Sequence, residues 1–297
     1  MRRFWVFSIG SETVIRGRHN NLLRRVGESL LEVALLGGFV ARWSYRGGLQ
    51  GRLGVTRYDV RLAAGKSLVA PLTIAFASDF HAGPTTDPQL FVALCDRLAE
   101  AQPDVVLLGG DFVSGKADYV QPLARELKYC RPPLGKYAVL GNHDLWADDT
   151  RIAAMLNASG VEVLINRSAT LPPPFDCVSI CGVDDPWTGS PDAALAFDDA
   201  RDIRIFLTHA PDGLMSLSNE RFDVAFAGHT HGGQVAWPNG SPVLLPHGPL
   251  SKRYVYGKFP IEGNGCLMVS RGIGCSTLPI RLNAHPELVL CTLRSGT

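Results

Sequence analysis

Residues able to bind metal ions occur in five short groups, each placed directly after a run of apolar residues. The groups are Asp79-Phe80-His81, Gly109-Gly110-Asp111, Gly141-Asn142-His143-Asp144, Thr208-His209 and Gly228-His229-Thr230-His231. Carboxylate, carboxamide and imidazole ligands without a thiolate suit divalent ions such as manganese, iron and zinc. In an extended chain the first and third residues of D-x-H and H-x-H point to one face, so each pair can reach one ion or two adjacent ions.

No single group is specific, because each has an ordinary structural explanation. An isolated Asp-x-His is usually surface decoration, Asn and Asp favour turns, and His209 alone would usually be a structural histidine. Five groups at five strand ends are different, since the carboxyl ends of strands meet at one edge of an α/β sheet. Glycines in three of the groups allow sharp exits from the strands and close approach of the backbone to a ligand. The order of the groups therefore predicts one metal site.

The elements that must position these groups alternate along the chain. Strands are predicted at 58–62, 72–78, 104–108, 137–140, 161–165, 177–183, 203–208, 223–227, 266–270 and 287–293, and helices at 88–101, 117–129 and 148–158. Alternation of strands and helices, followed mostly by strands, indicates two sheets packed face to face with helices outside. The predicted fold class is α/β, a four-layer α-β-β-α sandwich of two mixed sheets with a dinuclear metal site at the strand ends.

The first 53 residues are predicted to form a basic, partly amphipathic arm, and residues 54–297 the main domain. Residues 1–58 contain ten arginines and three acidic residues, although the whole chain has a net charge of only +1. Leu22, Val26, Leu30 and Val33 have the spacing of one helical face. Such a helix can lie in a membrane interface or can pack on the main domain, and the sequence leaves both possibilities open.

The compartment is inferred from what the sequence lacks. The longest uncharged N-terminal apolar run, 33–41, is far shorter than the roughly 20 residues of a spanning helix, and the apolar start is too short for a good signal peptide. Seven cysteines with irregular spacing indicate reduced thiols rather than a disulfide framework. We expect a cytoplasmic protein, with peripheral contact to the inner membrane as an option for the arm. The small net charge predicts no nucleic-acid partner.

The order D-x-H, G-D, G-N-H-D, H and G-H-x-H resembles the calcineurin-like metallophosphoesterases, from about residue 54 to the end. The segments 78–83 and 228–235 and the closing Pro286-Glu287-Leu288 are similar to a bacterial branch of that family. This branch includes membrane-associated phosphodiesterases and enzymes that cleave the pyrophosphate of UDP-2,3-diacylglucosamine in lipid A synthesis. One departure is Phe80, where leucine is common in the family, and it affects no ligand.

The resemblance implies a role for each matching residue. Two divalent metal ions are implied, manganese first, with iron or zinc as alternatives. One ion would be held by Asp79, His81 and His231, the other by Asn142, His209 and His229, and Asp111 would bridge them. His143 would face the scissile phosphate without binding metal, and Asp144 would orient His143. The family chemistry is in-line attack on phosphorus by a hydroxide held between the two ions.

These features predict a metal-dependent hydrolase of a phosphodiester or pyrophosphate bond in a phosphate-ester substrate. The substrate is expected to be lipid-linked or nucleotide-linked, such as UDP-2,3-diacylglucosamine. Two alternatives remain at this stage, namely a soluble phosphodiesterase of small nucleotides and a non-catalytic scaffold with the same fold. A nuclease is disfavoured, because the acidic main domain offers no evident basic groove.

Four further residues have two possible roles each. Trp146 and Trp187 could stack on a base or sugar, but covering the core is the favoured interpretation. Arg271 and Arg281 could hold a second phosphate, while pairing with acidic residues at the surface is an equally good explanation.

Overall fold

The computed structural model describes residues 22–296 of the 297-residue chain. The helices are α1 (Leu22–Ala34), α2 (Phe39–Arg46), α3 (Gln89–Ala101), α4 (Gln121–Tyr129), α5 (Asn142–Ala147), α6 (Asp149–Ala158), α7 (Ala193–Phe197) and α8 (Pro249–Arg253). The strands are β1 (Gly54–Arg61), β2 (Leu72–Ala77), β3 (Val105–Leu108), β4 (Lys136–Ala138), β5 (Val161–Val163), β6 (Arg167–Thr170), β7 (Val178–Gly182), β8 (Ile203–Leu207), β9 (Val224–Ala227), β10 (Gly257–Pro260), β11 (Cys266–Val269) and β12 (Glu287–Arg294).

These strands form two six-stranded mixed sheets. The first has the order β1-β12-β2-β3-β4-β5 and the second the order β10-β11-β9-β8-β7-β6. In the first sheet β2 to β5 are parallel, and β12 runs antiparallel to β2. In the second sheet β11, β9, β8 and β7 are parallel, with β10 and β6 antiparallel at the two edges. Parallel neighbours bring their carboxyl ends to the same edge, which is where the five chemical groups lie.

The two sheets pack face to face through a continuous apolar layer. Ile74 and Phe76 of the first sheet share this layer with Ile205 and Phe226 of the second, and the rings of Phe76 and Phe226 lie 5.2 Å apart. A second cluster buries α3, α4 and α6 against the outer face of the first sheet. A third buries α7 against the outer face of the second sheet. The four-layer α-β-β-α prediction is confirmed.

The elements that the sequence did not predict are short or polar. The edge strand β6 has the sequence Arg-Ser-Ala-Thr, which shows no alternation of apolar and polar residues. Helix α5 begins inside one of the chemical groups, at Asn142, where Asn and Asp residues look like a turn. Pattern recognition fails at such places because the tertiary contacts, rather than the local sequence, decide the conformation.

The predicted arm is helical where the structure describes it. Apolar residues of α1 face solvent, since Leu30 is 64% exposed and Val33 is 72% exposed. Helix α2 and its following turn contact the rest of the chain, because the Ser44 hydroxyl donates to Pro279 and the fully buried Gln50 donates to Thr85. Residues 1–21 of the predicted arm and the side chain of Leu22 lie outside the described residues. The boundary at residue 53 stays a prediction.

Within residues 22–296, no helix is long and apolar enough to cross a membrane.

Candidate metal centre

The structure brings together all seven side chains that the sequence proposes as metal ligands. They come from the carboxyl ends of β2, β3 and β4 in the first sheet and of β8 and β9 in the second. Among the described residues, three ligand sets have donor atoms within 4.8 Å of one another. These sets are Asp79, His81 and His231, then His81, Asp111 and His143, and then Asp111, His209 and His229.

Asp111 lies between the two halves of this centre. Its Oδ2 atom is 3.5 Å from Nε2 of His81 and 3.4 Å from Nε2 of His209. Its other oxygen, Oδ1, accepts the backbone N–H of His143 at 2.8 Å. The carboxylate is thereby oriented so that one oxygen faces both halves, as a bridging ligand requires.

The remaining ligands complete each half. On one side, Nε2 of His231 is 3.0 Å from Nε2 of His81 and 3.6 Å from Oδ1 of Asp79. On the other side, Nε2 of His209 is 3.1 Å from Nδ1 of His229 and 3.2 Å from Oδ1 of Asn142. Several nitrogen and oxygen lone pairs therefore converge on two points, and this donor set fits divalent cations.

The electrostatics favour the ligand forms of His81, His231 and Asp111 but not those of Asp79 and His209. Burial, reinforced by neighbouring cationic groups, lowers the pKa of His81 and of His231 well below the ordinary value, so both rings are neutral and can bind metal. Burial opposes the charge of Asp111, but His209 and His143 outweigh it and hold the pKa of that carboxyl well below its ordinary range. Burial raises the pKa of Asp79 to about 6, since a carboxylate without a neutralising cation is unfavourable there.

The backbone at these ligands is left-handed, which corrects the extended geometry that the sequence analysis assumed. The φ angles are +55° at Asp79, +43° at His81 and +53° at Asp111, with +71° at His229 and +52° at His231. Each ligand follows the end of its strand, so the period of two does not apply. Non-glycine residues in this region carry a cost of about 1–3 kcal/mol each and cluster at functional sites.

Two glycines are required because the ligands pass directly over them. A Cβ atom at Gly141 would lie 2.3 Å from Oδ1 of Asp111, and one at Gly228 would lie 2.4 Å from Oδ2 of Asp79. Any side chain at either position would displace a ligand carboxylate. This agrees with the expectation that glycines in the chemical groups permit close approach.

His143 and Asp144 begin the short helix α5 beside the centre. The half-buried ring of His143 packs against His81 at 4.7 Å and against Trp146 at 4.8 Å. The buried carboxylate of Asp144 accepts backbone N–H groups of Phe112 at 2.8 Å and of Gly141 at 2.9 Å. We therefore propose that Asp144 positions His143 by holding the backbone of the loops that follow β3 and β4.

The centre opens into a cavity of about 710 Å³ that contains features the sequence analysis did not find. Trp146 and Trp187 both line this cavity, so the preference for a core role was wrong. Trp187 stacks on His229 at 5.7 Å and is 41% exposed. Its backbone N–H donates to Asp185, a buried carboxyl whose pKa burial raises to about 6. The loop that contains Asp185 and Trp187 has no periodic pattern of apolar residues, so its position at the cavity could not be predicted from the sequence.

Of the two arginines that flank the last glycine-rich loop, Arg281 differs from both expected roles and Arg271 matches one of them. Arg281 is buried, and its guanidinium donates to the carbonyls of Gly274 and Ala284 and lies 3.1 Å from Nδ1 of His231. It is therefore neither a surface ion pair nor free to hold phosphate. Arg271 does form an ion pair, at 3.0 Å from Glu287. Arg281 instead holds the loop against His231, one of the proposed metal ligands.

Comparison with known proteins shows which family the chain resembles over most of its length. Residues 72–233 match the sequence model of the calcineurin-like phosphoesterase family. Phosphodiesterase YaeI of Escherichia coli (strain K12) is 32% identical over 245 residues, covering 78% of this chain and 86% of the relative. The uncharacterized metallophosphoesterase YkuE of Bacillus subtilis (strain 168) is 32% identical over 205 residues, covering 66% of this chain and 70% of the relative. A 5'-nucleotidase precursor from Thermus thermophilus aligns with a TM-score of 0.43 and 16% identity, over 76% of this chain and 54% of that chain.

Proposed function

Because the chain belongs to the calcineurin-like phosphoesterase family, we propose that it hydrolyses a phosphodiester or pyrophosphate bond with two divalent ions. The observation that carries the proposal is the position of Asp111, whose Oδ2 lies within 3.5 Å of both His81 and His209. Asp79 and His231 complete one half of the ligand set, and Asn142 and His229 the other. A catalytically dead scaffold is disfavoured, since it would have no need for all seven ligands.

When bound, the two ions supply Lewis acidity that activates water and neutralises charge on the phosphate oxygens. The protein contributes the preorganised ligands, whose backbone and hydrogen bonds fix their positions before substrate arrives. His143 is proposed to stabilise the transition state or to protonate the leaving oxygen, because its ring lines the cavity beside the ligands. Asp144 would hold the loops after β3 and β4 in fixed positions relative to each other.

Manganese is the proposed metal, with iron or zinc as alternatives. The ligand set of carboxylate, carboxamide and imidazole groups is compatible with each of these ions. Metal analysis of the purified protein, followed by activity after chelation and addition of single metals, distinguishes them.

The proposed substrate is lipid-linked or nucleotide-linked, such as UDP-2,3-diacylglucosamine, and the alternative is a small soluble nucleotide. The name of YaeI supports a diester rather than a monoester bond. We further propose that residues 1–53 form an arm that contacts a membrane, placing the protein in the cytoplasm at the inner membrane. The exposed apolar residues of α1 support this contact, because no described element covers them.

Hydrolysis of two substrates tests the proposal. Purified protein with added manganese is assayed on bis-p-nitrophenyl phosphate and on UDP-2,3-diacylglucosamine in detergent, with Asp111→Ala as the control. We expect turnover that depends on metal and is lost in the control. Turnover of the diester alone would support the proposed phosphodiesterase activity and rule out the lipid nucleotide as the substrate. Absence of turnover of both compounds would favour a non-catalytic scaffold.

A further inference from the structure

The cavity at the metal centre has two chemically different parts. Its floor carries five of the seven proposed ligands, whereas its outer wall is formed by Val235, Val243, Leu244, Leu245 and Leu278. The wall residues are accessible, since Leu244 is 78% exposed and Leu278 is 53% exposed. A folded protein rarely leaves several large aliphatic side chains exposed together unless they bind something.

The wall is built from two loops that hold each other in place. Gln234 links them, because its Nε2 donates to the carbonyl of Leu278 at 2.9 Å and its Oε1 accepts the N–H of Ser276 at 2.7 Å. The backbones also pair, with the N–H of Ala236 donating to Leu282 at 2.9 Å. The N–H of Val243 donates to Val235 at 2.9 Å, which closes a small hairpin. The wall is therefore a fixed surface joined to the floor of the same cavity.

The wall offers no charged side chain to a ligand. Residues 232–251 and 272–280 contain no lysine, arginine, aspartate or glutamate. A nucleotide diphosphate or sugar placed against this surface would find few partners for its polar atoms, and unpaired polar groups are costly. Binding of a hydrocarbon group to this surface is favourable, in contrast, in proportion to the apolar area that becomes buried.

We propose that this wall binds an alkyl chain of the substrate, so that the phosphoester carries a hydrocarbon group of several carbons. The argument is continuity, because a chain attached to a phosphate at the ligand residues would leave the floor along Leu278 and Leu244. The inference rests on the proposed function, since it takes the floor to be the site of the phosphate. It selects the lipid-linked substrate over the small nucleotide.

A chain-length series tests the wall without any membrane. Hydrolysis of methyl and hexyl p-nitrophenyl phosphate is measured below the concentration at which either ester aggregates. A fully buried methylene is worth about fourfold in binding and a half-buried one about twofold, so kcat/KM should be about thirtyfold higher for the hexyl ester. Leu244→Ser and Leu278→Ser should each reduce this ratio severalfold. Leu195→Ser on α7, which changes a leucine that is 58% exposed and lies outside the cavity, is the matched control and should leave the ratio unchanged.

Equal rates for the two esters, with turnover still dependent on Asp111, would contradict the proposal that the wall binds an alkyl chain. The proposed phosphodiesterase activity would be unaffected. A ratio that the two serine variants do not change would overturn the assignment of these residues. Binding of methylphosphonate and hexylphosphonate to the metal-loaded protein, followed by tryptophan fluorescence, needs no turnover. Equal affinity there would also overturn the inference, even if the proposed hydrolysis failed.

Discussion

His143 lies beside the proposed ligands, and its ring is half-buried at the cavity. His229 is half-buried as well, whereas the rings of His81, His209 and His231 are buried. The Nδ1 atom of His143 lies 3.4 Å from the carbonyl of Ser114, a contact that would orient the ring when this nitrogen carries the proton. Its backbone N–H also fixes Asp111, so the residue orders the centre even without its side chain.

Replacing His143 with alanine should therefore lower the catalytic rate without lowering the metal content of the protein. The backbone bond to Asp111 survives the change, so we expect normal metal content and a loss of about 10²–10⁴-fold in kcat. Turnover of bis-p-nitrophenyl phosphate and atomic absorption check the two parts. His247→Ala changes another histidine of the cavity and should keep kcat within the same order. Normal turnover by a folded His143→Ala protein would contradict the assigned role.

The sequence predicted that these side chains come together, as the structure shows, but it did not predict their backbone geometry. Residue types such as Asp79 and His231 follow from the chemistry of metal binding and from their position after apolar strands. The left-handed backbone at these residues depends on loops from other strands, as when the N–H of Asp79 donates to Gly110 and that of His81 to Asp111. No local pattern encodes such contacts.

At the scale of elements, one lysine joins two helices to a strand. Lys136 on β4 is buried, and its Nζ donates to the carbonyls of Leu127 at 2.6 Å, Cys130 at 2.7 Å and Ser159 at 3.0 Å. These carbonyls lie at the carboxyl ends of α4 and α6, where the last carbonyls of a helix have no partner within it. Burial lowers the pKa of Lys136, and the three carbonyl oxygens compensate for the lost water.

Lys136→Met should consequently destabilise the fold without touching the metal centre. The methionine fills similar volume but leaves one buried and two partly buried carbonyls without this donor, so we expect a loss of about 1–3 kcal/mol in the free energy of unfolding. Urea unfolding followed by circular dichroism measures it. Lys128→Met, at an exposed position of α4, is the control and should change stability little. Equal stability of the two variants would show that the ammonium contributes nothing.

Elements with strong periodicity were predicted correctly and irregular ones were not. Helix α3 has leucines at 90, 94 and 98 on one buried face, and its prediction at 88–101 differs by one residue. Helix α7 has five residues, and its apolar sequence carries too few turns to show a period. The loop that forms the apolar wall has no period at all, because its conformation is set by Gln234 and its partners.

At the scale of the whole molecule, apolar side chains are exposed on more than the cavity wall. Helix α2 exposes Phe39 and Trp43, and Arg42 and Arg46 are exposed on the same short helix. Residues 33–58 contain four arginines and no acidic residue. Aromatic residues beside arginines are typical of surfaces that contact anionic lipid.

If the arm contacts a membrane, the full chain should bind vesicles that contain phosphatidylglycerol and bind neutral phosphatidylcholine weakly. The variant with Phe39→Glu and Trp43→Glu should lose at least about tenfold in vesicle partitioning, because two exposed aromatic side chains that would insert into the lipid are replaced by charged ones. Val69→Glu, at a position that is 70% exposed and far from α2 in sequence, is the control for added charge. Co-flotation measures the binding. Deleting residues 1–50 is a poorer test, since it removes the buried Gln50.

Five of the proposed ligands are non-glycine residues with a left-handed backbone, a conformation that costs folding free energy and that a substitution can relieve. Asp111 has a φ angle of +53°, and glycine adopts that conformation without the steric penalty. Asp111→Gly and Asp111→Ala should both be inactive, because both lose the carboxylate, yet in the presence of a chelator the glycine variant should unfold at a higher urea concentration than the alanine variant, which keeps a Cβ atom in the left-handed conformation. Lower stability of the glycine variant than of the alanine variant would mean that a side chain in this conformation carries no such penalty at position 111. If the left-handed residues do cost stability, selection for stability alone would replace them before other residues. Their persistence in a lineage would therefore indicate that the reaction is still in use.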